Sequence, residues 1–428
     1  SSSHLYALHL EFWHKEGELM IEVSAEKIDI TPDFPMYMRG YAMRTGKSIG
    51  VLDRLYSRIL ALRIDGQTFL WITLDLCRLE PEITDYMRRV LSAKHSIPME
   101  QIVISTIHTH SAPDISFEDQ GEDRNHRKAR YRDLMIRKTF EGVDICFDRG
   151  FLEVSPYMVK GQIQGVYGNR NYKDKPSDKE VNLILFRNEN HVAAGIFQFS
   201  CHPTVLGIHN MKLSSDLLGN VGKALDEKYH TTFITIQGAC GDMGNRQYRQ
   251  GNDEQELWRV RNQIMEQIDG FALHEEPIRL EKIQVKTTQY RVYHTYDIPE
   301  IRRQIEEDER KLAEAATEDE RKLLWSGIRH LKEKVEQGGV DVTLKSLIFH
   351  LGDLDIVTVP GELFSAFGLQ LKQAMKGKLR IVWGYANYSA GYIVEKDEFG
   401  KGYESMSTPF PQGEAEKYVE QLIEELQK

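Results

Sequence analysis

A strongly apolar segment that ends in two histidines places the tightest constraint on how this chain folds. Residues 101–107 read QIVISTI and are followed by His108-Thr109-His110 and by the turn residues Ser111-Ala112-Pro113. The β-branched and aliphatic content predicts a buried strand that ends at His108. Side chains two positions apart on a strand point to the same face, so both imidazoles would project together from the strand end. Open α/β sheets place their binding sites at such strand ends.

The paired histidines have two interpretations. Two convergent neutral imidazoles are a common beginning of a zinc site, in which each Zn–N bond is roughly 2.0–2.1 Å long. The alternative is a pair of hydrogen-bonded structural histidines, because His-x-His is too short a pattern to decide the matter alone. The metal interpretation therefore depends on whether the chain supplies further ligands.

Composition limits the class of protein. The chain has 428 residues, enough for one large domain or two to three ordinary ones. The formal net charge of −10 argues against a nucleic-acid partner, which would need a broad basic face. No apolar run approaches the roughly 18–20 residues that span a bilayer, so we expect no integral membrane association. Four cysteines without Cys-x-x-Cys spacing favour a reducing, cytoplasmic compartment.

The order of segments predicts an α/β fold. Strand and helix patterns alternate over residues 21–428, and Asp65-Gly66 between two apolar runs is a strong antiparallel hairpin signal. We expect one compact catalytic domain with a mixed β-sheet core flanked by helices. Residues 1–20 lack the features of a signal peptide and are interpreted as an N-terminal extension or an added segment.

Residues 297–338 differ from the rest of the chain. They are dense in Glu, Lys, Arg, Ala and Leu, which predicts an inserted hairpin of two long amphipathic helices. The favoured interpretation is a solvated, protruding hairpin. A dimer arm and a lid over the site are the alternatives.

Later segments repeat the design of a strand that runs into a polar turn. His202 follows the apolar residues 196–201, Glu362 follows 355–359, and Tyr392 closes the segment 381–392. Taken singly, each has an ordinary explanation: a satisfied core histidine, a carboxylate at a helix start, or a packed tyrosine. Together they place His, Glu and Tyr at the mouths of strands that could belong to one sheet. This joint pattern favours a metal site.

An ordered set of motifs resembles the neutral ceramidases. The segments STIHTHSAP, SCHPT, NRN followed by DKEVNLILF, SSDLLGN, GACGDMGN, PGELF, NYSAGYIV and KGYE occur in the order found in that family. The similarity runs from about residue 23 to about residue 408. It covers the family's zinc amidase catalytic domain and is expected to indicate a short bacterial relative without the C-terminal immunoglobulin-like domain.

The resemblance implies roles for individual residues. One zinc ion per chain would be held by His108, His202, Glu362 and Tyr392, with Tyr388 as the alternative to Tyr392. His110 would stand beside the metal as a catalytic group. Arg170 and Tyr403 would contact the polarised carbonyl of the substrate. Such a His₂/Glu/Tyr set suits Zn²⁺ and leaves room for water.

One motif departs from the family pattern. Where ceramidases carry a functional serine, this chain has Gly244 if the segments align without a gap. Asp242, Gly244 and Asn171 are predicted to contact the substrate. A hydroxyl that would bind the headgroup of ceramide is missing. We therefore expect a small, soluble amide or ester substrate in place of ceramide.

Other classes of function stay open. A cyclic amidase or lactonase of the amidohydrolase type also uses His-x-His, but with an eightfold βα barrel that the sequence does not show. A metallo-β-lactamase is excluded because Ala112 and Pro113 occupy the positions of its Asp and His. A non-catalytic, metal-bearing binding protein is the third alternative. Formation of a homo-oligomer is compatible with each of them.

Overall fold

Three mixed sheets form the centre of the protein. The computed structural model describes residues 19–118 and 126–428, so most of the segment 1–20 lies outside the described residues. Sheet 1 has the spatial order β6 (Ile102–Thr106), β5 (Gln67–Leu74), β4 (Tyr56–Ile64), β1 (Ile21–Asp29), β8 (Leu152–Glu153). Sheet 2 has the order β14 (Phe233–Gln237), β12 (His191–Phe199), β11 (Glu180–Asn188), β9 (Ser155–Gln162), β16 (Glu276–Pro277). Sheet 3 has the order β17 (Gln284–Thr295), β18 (Gly339–Leu351), β19 (Leu354–Thr358), β21 (Leu379–Trp383).

Short strand pairs connect the loops around these sheets. They are β2 (Met38–Arg39) with β7 (Ala112–Pro113), β3 (Gly50–Val51) with β13 (Lys212–Leu213), β10 (Gly168–Asn169) with β15 (Met243–Gly244), and β20 (Glu362–Leu363) with β22 (Tyr392–Ile393). Glu362 therefore lies in a short strand, where the sequence predicted the start of a helix.

Each of the three sheets contains a pair of parallel strands among its antiparallel neighbours. The parallel pairs are β5–β6, β12–β14 and β19–β21. The chain leaves β6 toward His108, β12 toward His202 and β19 toward Glu362. The predicted site residues thus follow the carboxyl ends of parallel strands, as expected for α/β sheets. The strands lie in three sheets, so the interpretation that they share one sheet is wrong.

Apolar side chains from all three sheets form one continuous core. At its centre the rings of Trp71 in sheet 1 and Trp383 in sheet 3 are 5.7 Å apart and perpendicular. The indole Nε1 of Trp383 donates to Ser105 Oγ at 2.8 Å, which satisfies its buried N–H. Gln237 donates from Nε2 to the carbonyl of Ile107 at 3.0 Å and links sheet 2 to sheet 1. These contacts fix the three strand ends relative to one another.

Helices cover the outer faces of the sheets, which confirms the predicted mixed core flanked by helices. They are α1 (Pro81–His95), α2 (Arg127–Arg149), α3 (Asp216–Tyr229), α4 (Glu254–Phe271), α5 (Ile298–Glu314), α6 (Glu318–Gln337), α7 (Ser365–Ala374), α8 (Tyr403–Ser407) and α9 (Glu414–Gln427). Helix α2 packs on sheet 1, α3 and α4 pack on sheet 2, and α7 and α9 pack on sheet 3. None of the helices in the described ranges is long and apolar enough to cross a bilayer. All four cysteines are buried and free.

The predicted helical hairpin is present between β17 and β18. A capping box at Thr317 and Glu320 begins α6, because each side chain accepts the other residue's backbone N–H. Ile328 and Leu331 of α6 are buried against Ile305 of α5. Helix α6 also packs on α8. The hairpin lies against the body of the protein, which differs from the favoured interpretation of a solvated protrusion.

Candidate metal centre

Two histidines and a carboxylate converge where the three sheets meet. The carboxylate oxygen Oε1 of Glu362 is 3.0 Å from Nε2 of His108 and 3.3 Å from Nε2 of His202. The potential ligand atoms of the three residues all lie within 4.8 Å of one another, and all three side chains are buried. The structure therefore brings together three of the four predicted metal ligands from three different sheets.

Backbone carbonyls orient both imidazoles. Nδ1 of His108 is 2.9 Å from the carbonyl oxygen of Cys77, and Nδ1 of His202 is 2.6 Å from that of Cys240. A carbonyl only accepts, so each Nδ1 carries a hydrogen, and each Nε2 faces Glu362 as the nitrogen that a metal ion would bind. This arrangement of an N–H bonded to a carbonyl is typical of metal-binding histidines.

The donor set fits a zinc ion. Nε2 of His202 is buried and makes no hydrogen bond within the described structure, although a buried polar atom ordinarily has a partner. In a tetrahedral site with bonds of roughly 2.0–2.1 Å, neighbouring ligand atoms are about 3.3 Å apart. The 3.0 and 3.3 Å separations around Glu362 Oε1 are close to that value. Nitrogen and oxygen donors of this kind are ordinary zinc ligands.

The charges of the cluster attract a cation. Burial would raise the pKa of Glu362, but His108 and His202 hold it well below its usual range, so the carboxylate is ionised. Burial and the nearby Arg170 lower the pKa of His202 to about 4, which keeps that ring neutral. Burial also disfavours a charged His108, yet the Cys77 thiol and the Glu362 carboxylate raise its pKa to about 10. The ionised carboxylate of Glu362 thus stabilises positive charge at the neighbouring imidazole nitrogens, where a metal cation would bind.

Tyr392 lies beside the cluster and Tyr388 does not. Tyr392 is the register partner of Glu362 in the β20–β22 pair, and its ring stacks at 6.3 Å from that of His202. Its hydroxyl accepts a hydrogen bond from Nη2 of Arg170 at 3.0 Å. The hydroxyl of Tyr388 instead donates to the carbonyl of Thr343. Of the two predicted alternatives, Tyr392 is the one whose ring contacts a residue of the cluster.

His110 faces the same cluster through its contact with His108. Its Nε2 is 3.1 Å from Nε2 of His108, and the two rings are nearly perpendicular. Strand β6 ends at Thr106, before the predicted end, and His108 has a φ of 69°, which no strand residue adopts. The backbone bend, and not the alternation of a strand, brings the two rings together. Burial and the neighbouring His108 lower the pKa of His110 well below its usual range.

Arg170 and Tyr403 both contact Tyr392, the neighbour of the cluster. Nε of Arg170 donates to Oε1 of Glu404 at 2.9 Å, and Nδ2 of Asn171 donates to the same oxygen at 3.1 Å. The ring of Tyr403 contacts that of Tyr392 at 5.9 Å, and its hydroxyl is 3.1 Å from Nε2 of His330 on α6. Arg170 is thus engaged by Glu404 and Tyr392.

Two of the predicted substrate-binding residues, Asp242 and Gly244, differ from each other in their surroundings. Both carboxylate oxygens of Asp242 are occupied, one by the backbone N–H of Ser365 and the other by Nδ2 of Asn169, each at 2.8 Å. Gly244 pairs with Gly168, and a Cβ built on Gly244 would lie 3.5 Å from Cβ of Arg170. That is an ordinary contact distance, so a small side chain fits at this position.

Several site residues were not found from the sequence. The ring of Tyr385 stacks on His108 at 4.4 Å, and its hydroxyl lies 3.1 Å from Sγ of Cys240 and 3.4 Å from Oε1 of Glu362. Tyr385 follows the strand β21 directly, so the strand-to-turn design that singled out His202 also applied to it. Cys77, whose carbonyl orients His108, carries no comparable signal.

Comparison with solved structures shows that the chain has the fold of neutral ceramidases. Neutral ceramidase from Pseudomonas aeruginosa superposes with a TM-score of 0.74 and 16% identity, over 96% of this chain and 74% of that chain. A ceramidase complexed with C2 gives a TM-score of 0.72 and 15% identity, over 96% and 75%. No protein-family model and no curated protein matches the sequence. The three-sheet architecture also differs from the eightfold barrel of the amidohydrolase alternative.

Proposed function

We propose that this protein is a zinc-dependent hydrolase that cleaves the amide bond, or an ester bond, of a small N-acyl or O-acyl compound. The observation that carries the proposal is the buried cluster of His108, His202 and Glu362 with an unpartnered Nε2 at its centre. Tyr392 would complete the ligand set. The ceramidase-like fold supports the same class of reaction, since the two structural relatives described above are ceramidases in name.

The residues around the cluster supply what hydrolysis requires. A zinc ion held there would lower the pKa of a coordinated water toward about 7 and polarise the substrate carbonyl. His110 is uncharged at neutral pH and its Nε2 faces the cluster, so it can accept a proton from the attacking water. The same nitrogen can then return the proton to the leaving amine.

Tyr403 is suited to stabilise the oxyanion of the reaction. Burial raises the pKa of Tyr403 to about 12, so its hydroxyl remains a donor at neutral pH. The contact of its ring with that of Tyr392 supports this role, in which the hydroxyl would donate to the developing oxyanion. Arg170 keeps Tyr392 in position through its 3.0 Å hydrogen bond.

The substrate is proposed to differ from ceramide. Gly244 has no hydroxyl, and the structure provides space where a serine would fit. A lost hydrogen bond to a neutral group costs about 0.5–1.5 kcal/mol, a factor of roughly three to ten. Loss of a group that also assists the oxyanion would cost roughly 10²–10³-fold.

Metal analysis and a substrate library test the proposal together. Elemental analysis after mild dialysis should find about one zinc per chain, and adding zinc to chelator-treated protein should raise its melting temperature by mass action. The zinc-loaded protein should hydrolyse at least one member of a library of short N-acyl amines and esters. Absence of zinc, without stabilisation on adding it, would contradict the metal assignment. A zinc-bearing protein that hydrolyses no compound would support the non-catalytic binding protein.

A further inference from the structure

Four basic side chains close to His110, Asn171 and the segment after His202 have no carboxylate partner. They are Arg44, Arg246, Arg249 and Lys322. Within residues 19–118 and 126–428, none of the four has an acidic group within 4.0 Å. Arg44 and Lys322 are half-buried, and Arg246 and Arg249 reach solvent. We refer to these four residues as the cation group.

Two members of the cation group, Arg44 and Arg249, donate to backbone carbonyls of the segment 204–208, which begins two residues after His202. Arg249, Tyr41 and Arg44 donate to carbonyl oxygens of this segment at 3.0, 3.1 and 3.5 Å, respectively. Arg44 also donates from Nη1 to the carbonyl oxygen of His110 at 2.6 Å, while its Nη2 is buried and has no partner. All of these acceptors are uncharged, so the arginine charges are not neutralised by them.

Helix α6 adds Lys322 to the same surface. Nζ of Lys322 lies 4.4 Å from the centre of the Tyr41 ring, and Cζ of Arg44 lies 4.8 Å from it. The Tyr41 ring in turn contacts the ring of His110, with centroids 5.0 Å apart. One aromatic ring therefore connects two of the cations to the proposed catalytic histidine.

Arg246 approaches from the Asn171 side, where it donates to Oδ1 at 3.3 Å. The positive charges of Arg246 and Arg249 affect the pKa of Lys322. Burial lowers the pKa of Lys322 to about 8, Asp319 opposes the shift, and Arg246 and Arg249 add to it. Asp319 lies beyond ion-pair distance of both Lys322 and Arg246. Four cations without an ion-pair partner produce a positive potential that attracts an anion.

We propose that the cation group binds an anionic substituent of the substrate, a carboxylate beside the scissile bond. The inference rests on the proposed hydrolase function and names its substrate class: acylated compounds that carry a carboxylate, such as N-acyl amino acids. The carboxylate lies between Lys322, Arg246 and Arg249, with the free Nη2 of Arg44 as a further donor. Charge-assisted hydrogen bonds of this type are stronger than neutral ones.

Three compounds of nearly equal size test the substrate class. N-butanoylglycine carries the carboxylate on the amine side, N-succinylethanolamine carries it on the acyl side, and N-butanoylethanolamine is neutral. We expect kcat/KM for one of the anionic compounds to exceed that for the neutral compound roughly tenfold or more at low salt. The preference should shrink as the ionic strength rises, because salt screens exposed charges.

Substitutions in the cation group test whether these residues cause the preference for anionic compounds. Lys322→Gln and Arg246→Gln should each lower the ratio of anionic to neutral kcat/KM severalfold. Lys332→Gln is the matched control on the same helix, since Lys332 is exposed and pairs with Glu309 at 3.0 Å. The ratio should not change in that variant. Equal or better turnover of the neutral compound, or an unchanged ratio in both Lys322→Gln and Arg246→Gln, would overturn the inference.

Calorimetry separates this inference from the proposed function. If none of the three compounds is cleaved, their binding to the zinc-loaded protein is measured directly. Tighter binding of an anionic compound that is weakened in Lys322→Gln would support the cation group even though the hydrolase proposal had failed. Equal affinity for all three compounds would reject the cation group.

Discussion

The Nε2 atoms of His108 and His110 lie 3.1 Å apart, although neither residue belongs to a strand. His108 has a left-handed φ of 69°, a conformation that is uncommon outside glycine and clusters at functional sites. The bend lets His108 face Glu362 while its ring also meets that of His110 edge to face. The two histidines of one short motif can therefore have different tasks, metal binding for His108 and proton transfer for His110.

Substitution of the histidines should separate these tasks. His202→Ala should lose zinc and activity together, because it removes a proposed ligand. His110→Ala should keep most of the zinc and lose activity on the order of 10²–10⁴-fold, the usual contribution of a general acid–base group. Zinc content and kcat are measured on the same samples. His191→Ala, an exposed histidine at the start of β12, is the control and should change neither. Loss of zinc in His110→Ala but not in His108→Ala would mean that the two roles are reversed.

The tyrosine ligand can be identified by removing one hydroxyl at a time. Tyr392→Phe should weaken zinc binding and lower activity, because its ring stacks against His202 and its hydroxyl, the proposed ligand, accepts from Arg170. Tyr388→Phe should leave zinc affinity unchanged, since its hydroxyl donates to the backbone carbonyl of Thr343 and not to a residue of the cluster. Competition with a chelator of known affinity measures both. A larger loss in Tyr388→Phe would return Tyr388 to the ligand set.

Gly40 permits the close approach of His110, and enlarging it should disturb catalysis. A Cβ on Gly40 would lie 2.3 Å from Cγ of His110, a distance that real contacts do not reach, so the ring must move. We expect Gly40→Ala to reduce kcat at least tenfold, since displacement of a catalytic group by about 1 Å can cost 10²-fold. Gly165→Ala is the control, because it also has a positive φ but nothing within 4 Å. Equal kcat in the two variants would show that the position of His110 is not critical.

Restoring a hydroxyl at Gly244 should shift the substrate preference toward ceramide. A serine fits there at ordinary contact distance from Arg170, and Gly244 has no positive φ. We expect the original protein to cleave a short N-acyl compound with higher kcat/KM than ceramide in detergent. Gly244→Ser should improve the relative rate on ceramide by roughly three- to tenfold, the effect of one neutral hydrogen bond. Faster cleavage of ceramide than of every small substrate by the unmodified protein would contradict this prediction.

The positions of three site residues at strand ends could be predicted because they depend only on the residues next to them in the sequence. His108, His202 and Glu362 each follow an apolar run of strand composition, so hydrophobic pattern and turn residues were sufficient to place them at strand ends. The helical hairpin could be predicted for the same reason, since helix propensity depends on the local composition of the chain.

What the sequence could not determine depends on contacts between residues far apart in the chain. The grouping of the strands into three sheets follows from packing in the shared core around Trp71 and Trp383. The stacking of Tyr385 on His108 and the position of Lys322 over Tyr41 arise only when separate sheets and the hairpin come together. Local pattern thus determined which side chains stand at strand ends, and tertiary packing decided which of them meet, because burial of apolar surface is non-directional and acts between whole elements.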